Sequence, residues 1–174
     1  MSLVAPLLAT VALAGNPADR LAEQPLEAPR ADRATRCAKG PQRGTKMLER
    51  WLQRNWRGES WGIMRCERRG KRLVPSGLHG EGRALDWRLR ARSPHDLAIG
   101  NGIVAWLLAD DRRGNRHARA RRLGVQEIAW NGRVWAASRW RAGLRPIRSG
   151  DRRRRWLHIA LTREGARQRT SWWR

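Results

Sequence analysis

The 174-residue sequence has no phenylalanine and no tyrosine, only three lysines and two cysteines, and 15 acidic residues against 38 basic ones. Each shortage excludes something. Without Phe or Tyr there is no RNP-type strand of the kind that stacks bases in RNA-recognition modules. Two cysteines, Cys37 and Cys66, make neither a CxxC pair nor a zinc knuckle. The longest apolar run, near the N-terminus, is about 12 residues, well short of the roughly 20 that span a bilayer. No P-loop and no Ser-His-Asp order is present.

What is abundant is arginine, 35 residues, and tryptophan, 11 residues, giving a formal net charge of +23. Such a field favours anionic partners: nucleic acid, anionic lipid or acidic cell-wall polymer. Charge alone does not choose among them. The length suits one domain plus a tail.

Residues 1–14, "MSLVAPLLATVALA", are mostly apolar and end in Ala12-Leu13-Ala14, which reads as a secretory leader although no Lys or Arg precedes the apolar run. A mis-assigned start or a buried N-terminal helix fits the same residues. Residues 15–36 mix Pro, Ala and charge without a hydrophobic period and read as a flexible linker, placing the domain at 37–174. Cys37 and Cys66 form one disulfide if the chain is exported and remain two thiols otherwise.

Within the domain, Met47, Leu48, Trp51, Leu52 and Trp56 predict an amphipathic helix capped by Thr45. "SWGIMRCE" (60–67) predicts a strand with Trp61, Ile63 and Arg65 on one face, followed by a glycine-rich loop carrying His79. In "RALDWRL", alternation puts Ala84, Asp86 and Arg88 opposite Leu85, Trp87 and Leu89. Ser93, Pro94 and Asp96 start a helix that continues through Gly100 and Gly102. A short basic helix ends at Gly124. "VQEIAW", Asn131-Gly132 and "RVWAA" predict a hairpin. "WLHIAL" predicts a strand that gives Leu157, Ile159 and Leu161 to the core and turns His158 away. Helices interleaved with short antiparallel strands indicate an α+β fold.

His79, Asp86 and His158 thus leave the apolar faces together. Hydrolytic zinc sites use three such ligands, with a fourth position for water. The same residues also read as a solvated loop histidine and an aspartate paired with one of many arginines. His95, in a first helical turn, and His117, in a basic helix, read as solvent-exposed.

"GLHGEGRALDW" resembles the His-x-x-x-Arg/Lys/Gly-Ala-x-Asp segment of zinc D-alanyl-D-alanine carboxypeptidases of the VanY type and their endolysin relatives. "LHIAL" resembles the strand that carries their last histidine ligand. The order of a "WGI-R-C" strand, this box, "GVQEI-W" and a terminal "HI-L…GAR-RTS-W" is closest to an exported actinobacterial-type branch and spans residues 37–174. The resemblance implies a small antiparallel sheet with flanking helices, Hedgehog/D-Ala-D-Ala-peptidase-like, and zinc on His79, Asp86 and His158. It further implies Arg65 as catalytic anchor for substrate carboxylate or oxyanion, peptidoglycan peptides as partners, and a secreted or cell-envelope location.

One departure bears on activity. Relatives carry an acid three positions before the last histidine or a histidine two before it; here those positions hold Arg155 and Trp156. Neither side chain can accept a proton in the working range. Asp151, Glu127 and Glu81 are the candidate substitutes. An active enzyme with a relocated base and a degenerate, binding-only relative both fit. A different class also fits: a basic protein that binds polyanions, nucleic acid or teichoic acid, without catalysis.

Overall fold

The computed structural model describes residues 24–148 and 156–174; residues 1–14, Asp151 and Arg155 lie outside them. In chain order the elements are α1 (Arg43–Asn55), β1 (Glu59–Gly62), β2 (Cys66–Arg69), β3 (Arg72–Pro75), β4 (Ala84–Arg88), α2 (Pro94–Leu107) and α3 (Ala118–Leu123). They continue with β5 (Val125–Trp130), β6 (Arg133–Ala136), β7 (Arg145–Pro146), β8 (Leu157–Leu161) and α4 (Arg163–Ala166). Six strands form one antiparallel sheet in the order β1-β4-β8-β5-β6-β7, and β2-β3 is a separate hairpin. The fold is α+β. Among the described residues no helix is long and apolar enough to cross a membrane.

The sheet has two unlike faces because its strands alternate. Leu85, Trp87, Ile128, Trp130, Leu157, Ile159 and Leu161 belong to one buried cluster with Leu48 and Leu52 of α1 and Ile103, Val104 and Leu107 of α2. The opposite face of the central strands carries Asp86, His158 and Ala129 in one row and Ala84, Ala160 and Glu127 in the next. Burying the aliphatic face fixes which way Asp86 and His158 point.

Several local expectations hold. Ser93 Oγ caps α2 by accepting from Asp96 N–H at 3.3 Å. Asn131 (φ 46°) and Gly132 (φ 73°) close the β5–β6 hairpin in the left-handed conformations a type I′ turn requires. Three expectations are corrected. Helix α1 starts at Arg43, so Thr45 lies buried inside its first turn and is not the cap. The 60–67 strand is broken: Gly62, at φ 108°, ends β1, and β2 begins a different sheet at Cys66. The loop before His79 contains β3 and a 3-10 turn, Gly77–Glu81.

Helix α2 tolerates its glycines because tryptophans press against them. A Cβ on Gly100 would lie 2.3 Å from the Trp130 indole, and one on Gly102 would lie 2.6 Å from Trp56. Trp130 is held in place, since its Nε1–H donates to Asn101 Oδ1 at 3.0 Å.

Residues 24–36, assigned to the linker, carry no helix or strand but are bonded along the domain. Asp32 exchanges hydrogen bonds with Gln126, and its carboxylate accepts from Arg163 N–H at 2.7 Å. Ser171 Oγ donates to Pro25 O and to Glu27. Thr35 donates from its amide and hydroxyl to Glu81 Oε1, while Arg83 Nε donates to Glu81 Oε2 at 2.7 Å. Cys37 and Cys66 are joined in a disulfide, with Cα atoms 6.2 Å apart, which ties the start of the domain to β2. Both thiols are therefore spent.

Burial raises the Glu81 pKa, but the Thr35 hydrogen bonds and the Arg83 guanidinium outweigh it and lower it from 4.5 to about 2. A carboxylate whose pKa is depressed on folding stabilises the fold above its unfolded value and loses that contribution as pH falls through its folded value. Thermal unfolding should therefore show stability lost between pH about 4.5 and about 2, with a shallower fall and a lower neutral-pH midpoint in Glu81→Gln. Replacing Gly100 by alanine should lower stability by about 1–3 kcal/mol through overpacking, despite a helix-propensity gain of about 1 kcal/mol. Chemical denaturation of the two proteins checks it.

Candidate metal centre

His79, Asp86 and His158 converge from three elements. His79 sits in the Gly77–Glu81 turn, which Gly82 ends in a left-handed conformation at φ 68°. Its position is fixed by backbone bonds: Arg65 N–H donates to His79 O at 3.3 Å, and Gly82 N–H does so at 3.0 Å. Asp86 and His158 are cross-strand partners in the β4–β8 pairing. All three are buried, and one ligand atom from each lies within 4.8 Å of the others.

The carboxylate of Asp86 divides its two oxygens. Oδ1 faces both imidazoles, 3.2 Å from His79 Nε2 and 2.8 Å from His158 Nδ1, whereas Oδ2 accepts from Arg65 Nη2 at 3.2 Å. Asp86 is 1 % exposed. Burial pushes its pKa up, but the hydrogen bonds from His158 and His79 prevail and hold it well below the usual carboxylate range. It is ionised throughout the neutral range.

His79 Nδ1 lies 2.9 Å from Ile63 O. A carbonyl can only accept, so Nδ1 carries the proton and donates. Nε2 then faces a carboxylate oxygen, an arrangement that needs a cation between them: a proton or a metal. The backbone-oriented imidazole, the second imidazole and the anionic oxygen fit the donor set of a zinc site, and the Nδ1–H to carbonyl bond is the outer-shell contact that orients metal-ligating histidines.

Arg65 reaches this centre from the link between β1 and β2, not from a strand. Its side chain is half-exposed and donates to Asp86, so it helps to position the carboxylate of the cluster. Of the candidate bases, Glu127 comes to the site: Oε1 is 3.5 Å from His158 Nε2, with the side chain about a quarter exposed. Glu81 does not, being held by Arg83 and Thr35. Trp156 lies two residues before His158, just ahead of β8. Trp61 packs against it edge-on with centroids 5.6 Å apart, and the Arg88 guanidinium lies 5.6 Å over the Trp61 ring. Trp61 is 53 % exposed. Trp61, Trp156 and Arg88 therefore form one aromatic and cationic group, whose members Arg88 and Trp156 are two residues from Asp86 and His158 in sequence.

The remaining histidines lie elsewhere. His117, expected at the surface, is buried; Trp135 Nε1–H donates to its Nδ1 at 3.1 Å, and burial pushes its pKa down, keeping the imidazole neutral as that acceptor role requires. His95 is at the start of α2, away from the cluster. Arg65's contact with Asp86 and Glu127's approach to His158 have no local sequence signal, because both depend on pairings distant along the chain.

No curated protein and no solved structure matches the chain. A family model described as the VldE C-terminal domain matches residues 37–154. The match begins at Cys37, takes in Arg65, His79, Asp86 and Glu127, and stops short of His158. Spanning more than half of the 174 residues, it shows that the chain belongs to the VldE C-terminal domain family.

Proposed function

We propose that this protein is a zinc-dependent, peptidase-like hydrolase of the cell envelope acting on peptidoglycan peptides. The observation that carries the reading is the buried convergence of His79, Asp86 and His158 beside a half-exposed arginine and a partly exposed glutamate. The likeness of "GLHGEGRALDW" and "LHIAL" to VanY-type carboxypeptidases, with their Hedgehog/D-Ala-D-Ala-peptidase-like fold, supports the same assignment. The disulfide suits an exported location.

Zinc, when bound, supplies a Lewis acid and lowers the pKa of water towards ~7. The chain's own groups do the rest. Asp86 stays anionic as a ligand, His79 is oriented by Ile63 O, and Arg65 holds Asp86 while offering its remaining N–H groups to a substrate carboxylate or oxyanion. Glu127 Oε1 accepts the proton of the attacking water and returns it to the leaving amine. It thereby fills the role left vacant at Arg155 and Trp156. Trp61 with Trp156 forms a stacking wall for a sugar ring or apolar side chain, with Arg88 as a further cation.

Purified protein should hold zinc near one equivalent by metal analysis, and His79→Ala should lose it; absence of metal in the unaltered protein rejects the assignment. A protein that only binds polyanions would instead show tight, strongly salt-dependent DNA binding that His79→Ala leaves intact. Glu127→Gln should keep its zinc and lower peptidoglycan-peptide turnover by about 10²–10⁴-fold, the usual contribution of a general base. Equal turnover in the two proteins, with metal retained, removes Glu127 from the mechanism.

A further inference from the structure

Beside the 3-10 turn that carries His79 is a second feature, lined by none of His79, Asp86 and His158: a cavity of about 360 Å³ between the 36–42 segment, Arg83 and the start of α4. Five cations line it, Arg36, Lys39, Arg83, Arg163 and Arg167, against a single carboxylate, Glu81. That carboxylate is already engaged. It accepts from Arg83 Nε at 2.7 Å and lies 3.4 Å from Arg163 Nη2, so it cannot neutralise the rim as well. Arg36, Lys39 and Arg167 are paired with no carboxylate among the described residues.

The floor is buried and the rim is exposed. Arg83 is 2 % exposed and its guanidinium donates to Glu81, Gln126, Leu161 O, Asp32 O and Arg33 O, so it is fixed in place and gives the cavity charge, while the donors left for a ligand belong to Arg36, Lys39 and Arg167. Arg36, Lys39 and Arg167 are exposed and line the same cavity. Helix α1 also begins here: Gln42, which lines the cavity, precedes it, no side chain caps that end, and its first turn holds no acidic residue. The partial positive charge of a helix start adds to the cationic field. The Cys37–Cys66 disulfide and the bond from Ala38 N–H to Gly80 O (2.8 Å) hold the 36–42 wall against the domain.

We infer that this cavity binds a phosphate-class dianion: a terminal phosphate or diphosphate group presented by a small molecule. Convergent guanidinium and ammonium groups suit an oxyanion with several acceptor oxygens and two negative charges. A phosphodiester, with one charge and two blocked oxygens, satisfies fewer of these donors. The site goes beyond the proposed hydrolytic centre and does not depend on it.

The test measures binding of inorganic phosphate and pyrophosphate to the full chain by calorimetry. Two charge-matched triple variants are compared: Arg36→Gln/Lys39→Gln/Arg167→Gln at the cavity, and Arg68→Gln/Lys71→Gln/Arg72→Gln on the exposed β2–β3 hairpin. Saturable binding should weaken at least tenfold in the first and stay within twofold in the second, with both unfolding near the temperature of the parent. Dimethyl phosphate should not compete. Binding should persist in His79→Ala, which separates this site from the metal centre. Absence of saturable binding, equal loss in the two triple variants, competition by dimethyl phosphate, or loss in His79→Ala would overturn the assignment.

Discussion

The ionised carboxylate of Asp86 is the group around which the site is organised. A buried anion is costly unless it is paired and hydrogen-bonded. Here it is met by two imidazoles on one oxygen and a guanidinium on the other. The β4–β8 pairing that sets Asp86 opposite His158 also sets Leu85 opposite Ile159. Because side chains alternate, a one-residue slip of either strand would carry its aliphatic residues out of the core and its ligand into it. The hydrophobic cluster thus holds the register that holds the charge.

Strands β4 and β8, helix α2 and the β5–β6 hairpin were legible in the sequence because their signals are local: period-two alternation, a Ser-Pro-x-Asp start, an Asn-Gly turn. The same alternation misled across residues 60–67. It continues in the letters through Gly62, where the backbone turns to φ 108° and the chain leaves one sheet for another. Arg65 lies in the link after that break, outside either strand, and bonds to Asp86. The three metal-ligand candidates were readable as residues that leave apolar faces. Glu127 was readable only as one acid among several, because its approach to His158 comes from the β5–β8 pairing, more than 25 positions away along the chain. His117 was misread for a similar reason: its acceptor role depends on Trp135 from β6.

The lack of Phe and Tyr shapes the core. Its large aromatic volume comes from indoles, which are bulky and carry an N–H that needs an acceptor when buried. The three most buried indoles have one each: Trp87 donates to Arg57 O, Trp130 to Asn101 and Trp135 to His117. Their bulk is accommodated by glycine. Gly58 faces Trp87, Gly100 faces Trp130 and Gly102 faces the partly buried Trp56, each with room for no Cβ. Glycines that read as helix-weakening in α2 are therefore the complement of a core built on tryptophan.

Scarcity of acid has a comparable effect on the electrostatics. Several carboxylates are turned inward: Asp86 to the histidines, Glu81 to Arg83, and Asp111 to Arg122, whose side chain is 3 % exposed. Burial raises the Asp111 pKa, yet bonds from Asn115 and Arg122 lower it to about 2, so this pair too is charged on both sides. Acids used to neutralise buried arginines are not available to screen exposed ones in a chain whose formal net charge is +23. A positive surface around low-dielectric clefts concentrates anions there. The His79–Asp86–His158 cluster and the arginine-lined cavity share one short turn, Gly77–Glu81, which gives His79 to the first and Glu81 to the second. Fixing that turn through Arg65, Thr35 and the disulfide-anchored 36–42 segment therefore shapes both sites with the same few bonds.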